Sequence, residues 1–345
     1  MVVTGLFLHY NVIIFLEVDM TKVDLITGFL GSGKTTFIRK YVDYLIDKGE
    51  KVCILENDYG AINVDMMLLA DLEEKGCGLE MVAGGCDYDC HRRRFKTKLI
   101  TMAMLGYDKV IIEPSGIFDV DEFFDILHEE PLDRLYEIGN VIAIVKANLE
   151  EDLSDEADFM LASQIAEAGC VVLSHVKEVN GEEIKSTVEH INNALKKVKC
   201  DRLFTDCGEP NSDFFVKNWD ELTNSDYRDI EASGYKTESY EKKISMDDNS
   251  FEALFFMDVS MSIDEIKSAI RRLFEDDLAG KVMRVKGFAK SEADNKWYEL
   301  NATSKKTEVK EIKKGQNVII VIGEKLDKKA VDRFFEARYS TVKTT

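Results

Sequence analysis

The sequence predicts an α/β fold, a parallel sheet flanked by helices, followed by a small α+β unit with an antiparallel sheet. Short apolar runs rich in Val and Ile alternate with helix-length stretches from residue 22 to residue 174. Near-continuous apolar runs mark strands buried on both faces. From Phe251 the order changes to strands in succession flanked by two helices. The charge changes in the same region: the 345-residue chain carries −20, but residues 250–345 carry +3 and the preceding 249 carry −23. This length fits two domains rather than one.

In residues 1–19 the apolar run 12–16 is preceded by no Lys or Arg and followed by Glu17 and Asp19, unlike a secretory leader. The segment is expected to be a non-functional extension with Met20 as the natural start; an extra edge strand is the alternative. The first domain is expected over 20–209. It holds a strand at 22–27, an amphipathic helix at 34–48, a strand at 51–56, and further strands at 79–82, 109–113, 141–146 and 170–174. Residues 210–248 are polar and weakly periodic, and read as a linker. The second domain is expected over 249–340. A strand at 253–259 precedes Ser262, an N-cap whose partner Glu265 completes a capping box before the helix 266–274. Strands at 281–289, 296–302 and 317–322 and a helix at 327–338 follow, with the Lys-rich stretch 305–314 as a solvated hairpin.

The 65 acidic and 45 basic residues exclude a general binder of nucleic acid or anionic membrane, since both need a basic surface. No apolar run reaches the roughly 18–20 residues that span a bilayer. Seven cysteines, an odd number at low density, indicate a reducing cytoplasm.

The strongest motif is Gly28-Phe29-Leu30-Gly31-Ser32-Gly33-Lys34-Thr35-Thr36, a G-x-x-x-x-G-K-[ST] loop between the first strand and the first helix. Gly28, Gly31 and Gly33 let consecutive N–H groups turn toward a phosphate, and the helix N-terminus adds partial positive charge. Lys34 is expected to reach the β- and γ-phosphates and the Thr35 hydroxyl to ligate Mg²⁺. Asp58 and Glu113 are acids at the C-terminal ends of strands, where open α/β sheets take ligands. For Asp58 a turn role before Gly60 is the alternative.

The loop resembles the opening of the CobW-type GTPases, relatives of the nickel-enzyme maturation factors HypB and UreG. Three further segments share the resemblance: Ile54-Leu55-Glu56-Asn57-Asp58-Tyr59-Gly60, Ile111-Ile112-Glu113-Pro114-Ser115-Gly116, and the C-terminal pattern with Lys286-Gly287-Phe288, Trp297 and Val321-Ile322-Gly323. Order and spacing agree from residue 20 to about residue 338. The resemblance implies a P-loop NTPase domain and a CobW-like C-terminal domain. It implies GTP hydrolysis coupled to delivery of a metal ion or metal cofactor to a client metalloprotein or cofactor-dependent enzyme in the cytoplasm, with a nucleotide-dependent homodimer and no nucleic-acid or membrane partner. Lys34, Asp58 and Glu113 are the implied catalytic set. Gly28, Gly31, Ser32, Gly33, Lys34, Thr35, Thr36, Ser174 and His175 are the implied nucleotide contacts, and Thr35, Asp58 and Glu113 the implied Mg²⁺ region. Asn57, Gly60 and Gly116 are implied switch-loop positions.

Two departures stand out. The family's Cys-x-Cys-Cys run is here Cys86-Asp87-Tyr88-Asp89-Cys90. Two thiolates four residues apart, completed by His91, Asp87, Asp89 or Glu56, suit a soft or borderline ion such as Zn²⁺ or Co²⁺; loss of the metal site is the alternative. Cys77 is a further candidate, whereas Cys53, Cys170 and Cys200 read as core. The family's guanine motif, [Asn/Thr]-Lys-x-Asp, is here Ser174-His175-Val176-Lys177. Lys177 cannot accept guanine N–H bonds, so GTP-over-ATP preference is expected to be about tenfold or less, with ATP use or rescue by Glu178 open. A non-catalytic nucleotide-binding regulator or enzyme-activating scaffold is the alternative function.

Overall fold

The computed structural model describes residues 2–9, 12–18, 20–58, 64–83, 88–116, 118, 120–150, 153–205, 207–209, 212–241, 251–291 and 294–335. The chain divides into two compact units, Met1–Lys243 and Ile244–Thr345. At the start of the first, β1 (Val2–His9) and β2 (Val12–Val18) pair antiparallel with each other as a separate two-stranded sheet. The segment weighed as an extra edge strand thus adds no strand to the larger sheet.

The large sheet follows in βα alternation. Its elements are β3 (Thr21–Thr27), α1 (Lys34–Asp47), β4 (Val52–Asp58), α2 (Val64–Glu73), β5 (Gly78–Ala83), α3 (Tyr88–Met104) and β6 (Lys109–Pro114). Then come α4 (Val120–Leu127), α5 (Leu132–Leu135), β7 (Tyr136–Lys146), α6 (Asp155–Ala166), β8 (Cys170–Ser174), α7 (Gly181–Lys197), β9 (Phe214–Phe215) and α8 (Asn224–Glu231). The seven strands run parallel in the order β5-β4-β6-β3-β7-β8-β9. Period-2 alternation sends Ile26, Ile54, Ile111 and Ile142 to one face, where Phe37, Ile38, Tyr41 and Leu45 of α1 cover them. Leu25, Leu55, Ile112 and Ala143 face the other side, against Phe95 and Leu99 of α3, Phe123 of α4, and Leu161 and Ile165 of α6. Burial on both faces explains the apolar runs in the sequence.

The stretch expected to be a linker differs most from expectation. Its described part supplies β9 and α8 to the first unit, and Phe214, Tyr227 and Ile230 are buried there. Tyr227 stacks on Tyr44 at a ring separation of 5.1 Å. Glu231 of α8 pairs with Lys109 at 3.2 Å, and Lys109 pairs with the fully buried Asp24 at 3.3 Å. Tyr41 Oη and the Asn140 backbone N–H donate to the same Asp24 carboxylate at 3.0 and 2.8 Å. A charge buried to this degree is stable only with such partners. The polar composition of 212–241 therefore reflects ion pairing and capping, not detachment.

The second unit is an antiparallel sheet of β10 (Glu252–Met257), β11 (Lys281–Lys290), β12 (Trp297–Ala302), β13 (Thr307–Ile312) and β14 (Val318–Glu324), in the order β10-β14-β11-β12-β13. Ser262 caps α9 (Ile263–Phe274), and its capping box with Glu265 forms as expected. Ile266, Ala269, Ile270 and Leu273 of α9 pack on Phe256, Val285, Leu300 and Val321. The stretch read as a solvated hairpin contains β13, an edge strand paired to β12 and largely exposed. The last described helix is α10 (Lys328–Asp332); the end of the expected helix 327–338 lies outside the described residues. No described helix is long and apolar enough to cross a membrane.

Phe214 is about 1% exposed and packs edge-on against Phe204 at 5.0 Å. Phe214→Ala is expected to lower the unfolding free energy of the first unit by about 3–5 kcal/mol in a denaturant titration. A linker residue would leave the midpoint unchanged.

Candidate nucleotide site and metal region

β3 lies between β6 and β7, and the chain after β3 returns through α1 to β4, beyond β6. This crossover opens the C-terminal edge of the sheet, where ligands enter open α/β folds. The loop 28–33 occupies that edge. Gly28 has φ 145°, and a Cβ there would lie 2.3 Å from the Ile144 carbonyl oxygen of β7. Only glycine meets both the backbone angle and the close approach. Gly33, with φ 99°, leads into α1.

The side chains of the loop converge. Lys34 is buried, and its Nζ donates to the Gly28 carbonyl at 2.8 Å, so the ammonium lies curled over the loop. Thr35 Oγ1 donates to Glu113 Oε1 at 2.7 Å. The hydroxyls of Thr27 and Ser32 are buried with no hydrogen-bond partner among the described residues. Orphaned buried hydroxyls at a glycine loop fit a ligand rich in acceptors. Thr36 is exposed. Thr35 with Glu113 offers adjacent hard oxygen donors, the kind Mg²⁺ takes alongside phosphate.

Register places the acids. Glu56 on β4 is the direct partner of Glu113 on β6, and both are about 3% exposed. Asp58 closes β4 opposite Ala83, the last residue of β5. Asn57 alternates to the other face, where its Oδ1 meets His91 Nε2 of α3 at 2.7 Å. Glu56 and His91, both expected near the metal, therefore sit on opposite faces of the sheet. Cys90 is half-buried in the first turn of α3. Cys86, Asp87, the Gly84-Gly85 turn and Gly60 lie outside the described residues. Among the described residues no group of three or more His, Cys, Asp or Glu side chains is arranged to hold a metal ion.

Cys77 leaves the candidate set. It is buried, its Sγ lies 3.3 Å from the Gly78 carbonyl, and burial pushes the thiol up to about 12. Burial raises Cys53 and Cys170 to about 12 as well. A thiol held protonated is neither a nucleophile nor a ready ligand. The basic run 92–94 is partly spent on structure, since Arg92 pairs with Glu129, which also binds Lys96 at 2.7 Å.

Two features escaped the sequence. Gln164 of α6 is fully buried and its Nε2 donates to the Gly116 carbonyl at 3.1 Å, pinning the loop after β6. Its signal was a polar pair, Ser163-Gln164, inside an otherwise apolar stretch of the helix, Met160–Ala166. At the base-motif position, Ser174 is buried, His175 is left-handed at φ 57° with Nδ1 3.2 Å from Glu178, and Lys177 pairs with Asp220 at 2.8 Å. Asp220 belongs to the stretch read as a linker.

The sheet order and the glycine loop define the P-loop class. Residues 22–204, more than half of the chain, match the CobW/HypB/UreG nucleotide-binding domain, and residues 257–338 match the cobalamin synthesis protein CobW C-terminal domain. The chain belongs to the CobW/HypB/UreG family. It is 31% identical over 154 residues to the zinc chaperone YeiR of Escherichia coli (strain K12), covering 44% of this chain and 46% of that protein. It is 28% identical over 174 residues to the zinc chaperone YjiA of the same strain, covering 47% and 51%. The chain thus spans about half the length of the curated relatives it matches. Among solved structures, Zn(II)-bound YjiA GTPase from E. coli aligns over 92% of this chain and 98% of that one, at 16% identity and a TM-score of 0.35.

Gly28→Ala is expected to be destabilised by about 1–3 kcal/mol through its backbone angle alone. The contact with Ile144 adds to this, and nucleotide binding falls with it. Thermal denaturation and nucleotide titration of the variant check both effects.

Proposed function

We propose that the protein binds and hydrolyses GTP and couples that cycle to delivery of a transition-metal ion, Zn²⁺ or Co²⁺, to a client metalloprotein or cofactor-dependent enzyme in the cytoplasm. The observation that carries the reading is the intact loop 28–36 with Thr35 hydrogen-bonded to Glu113. Family membership supports it, as do the relatives, two of them named zinc chaperones and a third, from Schizosaccharomyces pombe, named a zinc-regulated GTPase metalloprotein activator. We assign the nucleotide chemistry to the first unit and no role to residues 1–19.

In this reading Lys34 exchanges the Gly28 carbonyl for β- and γ-phosphate oxygens, and the loop N–H groups take the rest. Thr35, Asp58 and Glu113 would hold Mg²⁺, which supplies charge neutralisation on the phosphates when bound. Glu113 beside Glu56 provides a carboxylate to orient the attacking water. Positioning and electrostatics carry phosphoryl transfer, with little covalent work left to the protein.

Cys86 and Cys90 are assigned to the cargo ion. β5 leads into this segment, and its last residue pairs in register with Asp58. A change at the phosphates thus has a short path, one strand pair, to the cysteines. His91, held by Asn57 of the same strand, lies along it.

Lys34→Ala is expected to abolish GTP hydrolysis and weaken GTP binding; unchanged turnover would remove the phosphate-loop assignment. The Cys86→Ser, Cys90→Ser double variant is expected to bind Zn²⁺ at least about tenfold more weakly than the wild type. Wild-type Zn²⁺ affinity is expected to fall as pH is lowered, because thiols must lose protons to ligate. Equal Zn²⁺ titrations for the two proteins would move the metal away from these residues.

A further inference from the structure

The base motif lacks its acid, because Lys177 stands where a carboxylate is expected. The structure brings a carboxylate to the same place from another segment. β9 pairs beside β8, with Val171 opposite Phe214 and Val172 opposite Phe215. The chain leaving β9 therefore emerges next to the chain leaving β8. It forms a short turn, Trp219–Glu221, capped by Asn218.

Three contacts fix this turn against the base motif and α1. Lys177 Nζ lies 2.8 Å from Asp220 Oδ2, and Lys40 Nζ of α1 lies 2.9 Å from Asp220 Oδ1. The Trp219 ring meets Phe37 of α1 edge-on at 5.5 Å. A Cβ built on Gly33 would touch that ring at 3.2 Å and Ser174 Cβ at 3.6 Å. Ser174, Trp219 and the glycine before Lys34 are thus mutual neighbours, with Asp220 one residue from Trp219. Trp219 Nε1 is buried with no hydrogen-bond partner among the described residues.

We infer that Asp220 is the specificity residue for the nucleobase, accepting the N1–H and 2-amino hydrogens of guanine in place of the acid that Lys177 displaced. The inference rests on the nucleotide reading above. A carboxylate offers about four acceptor positions. The two lysines occupy two and leave two for the guanine edge. Hydrogen bonds from Lys177 and Lys40 hold the Asp220 carboxyl down at about 2, so it is a pure acceptor near neutrality. Adenine would turn its N1 lone pair toward that acceptor and offers no 2-amino group. A site built on an acceptor rejects a ligand that leaves it unpaired. The small GTP preference expected from Lys177 alone is therefore replaced by a large one.

The test uses the full-length wild type and Asp220→Asn, titrated with GTP, ATP and xanthosine triphosphate. The wild type is expected to prefer GTP over ATP by more than about tenfold, and Asp220→Asn to lose at least about tenfold in GTP affinity. The Asn amide can accept from N1–H and donate to the 2-oxo group of xanthine, so the variant should gain xanthosine triphosphate binding while its ATP affinity stays level. Retained ATP binding also reports an intact fold. If Asp220→Asn binds GTP like the wild type, or loses all three ligands together, the assignment is overturned and the Lys40–Asp220–Lys177 cluster is a surface tie. Equal wild-type affinity for all three overturns it while leaving the phosphate loop in place. A wild type that binds none overturns the nucleotide reading itself.

Discussion

The parallel pairing of β3 between β6 and β7 is the constraint on which the site depends. It aligns the C-terminal ends of the central strands at one edge, so that a glycine loop, a threonine and two glutamates meet without being neighbours in sequence. Glu56 and Glu113 are 57 positions apart in sequence but direct register partners on adjacent strands. Two nearly buried carboxylates side by side repel unless a proton, a donor or a cation accompanies them. Thr35 supplies one donor, at 2.7 Å. The opposite edge is closed by Asp24 and Lys109 with Tyr41, Asn140 and Glu231. The Asp24 carboxylate is thus satisfied internally, while the phosphate-loop edge presents orphaned hydroxyls of Thr27 and Ser32.

The strand β4 also divides two of the metal candidates, Glu56 and His91. Alternation along β4 sends Glu56 toward α1 and Asn57 toward α3, where it holds His91. Glu56 and Glu113 thus lie on the face of the sheet that α1 covers, and α3, which carries Cys90, on the other. This geometry suits communication rather than a shared ligand set. A shift of β4 at its C-terminal end moves both sides at once, because a packed core does not deform independently on its two faces. Gly116, whose backbone position leaves 2.9 Å between an added Cβ and Leu30 N, ties the loop after β6 to the phosphate loop in the same way.

Much of this was legible in the sequence. Apolar runs placed most central strands within one or two residues, although β7 begins at Tyr136, five residues before the expected 141, and the spacing of Gly28 to Thr36 named the loop because strand, turn and helix are all required for it. The Ser262–Glu265 box was readable because capping is local. The misreadings were tertiary. Residues 214–231 look like a linker because their only apolar run, Phe214-Phe215-Val216, is short, Tyr227 and Ile230 stand among polar and charged residues, and β9 is only two residues long. Nothing local shows that Glu231 completes the buried pairing of Lys109 and Asp24. The Thr307–Ile312 strand was hidden for the opposite reason: an edge strand can be polar on both faces, and its lysines are the usual protection of an exposed edge. Cys77 looked like a ligand candidate near Cys86, but its thiol faces the core. Asp220 was invisible because the base motif is read as a contiguous run, whereas the acid comes from the adjacent strand's loop.

In the proposed function, nucleotide state and metal affinity are coupled through β4 and β5. The direct measurement is an equilibrium titration of Zn²⁺ into the full-length protein held with GTP in a non-hydrolysed form, and again with GDP, together with the reverse titration of each nucleotide with and without Zn²⁺. Linkage requires the two factors to be equal, and couplings of this kind run roughly 5–150-fold. Zn²⁺ affinity is expected to differ between the two nucleotide states, matched by the same change in relative nucleotide affinity when Zn²⁺ is present. Identical Zn²⁺ affinities in both states would contradict it.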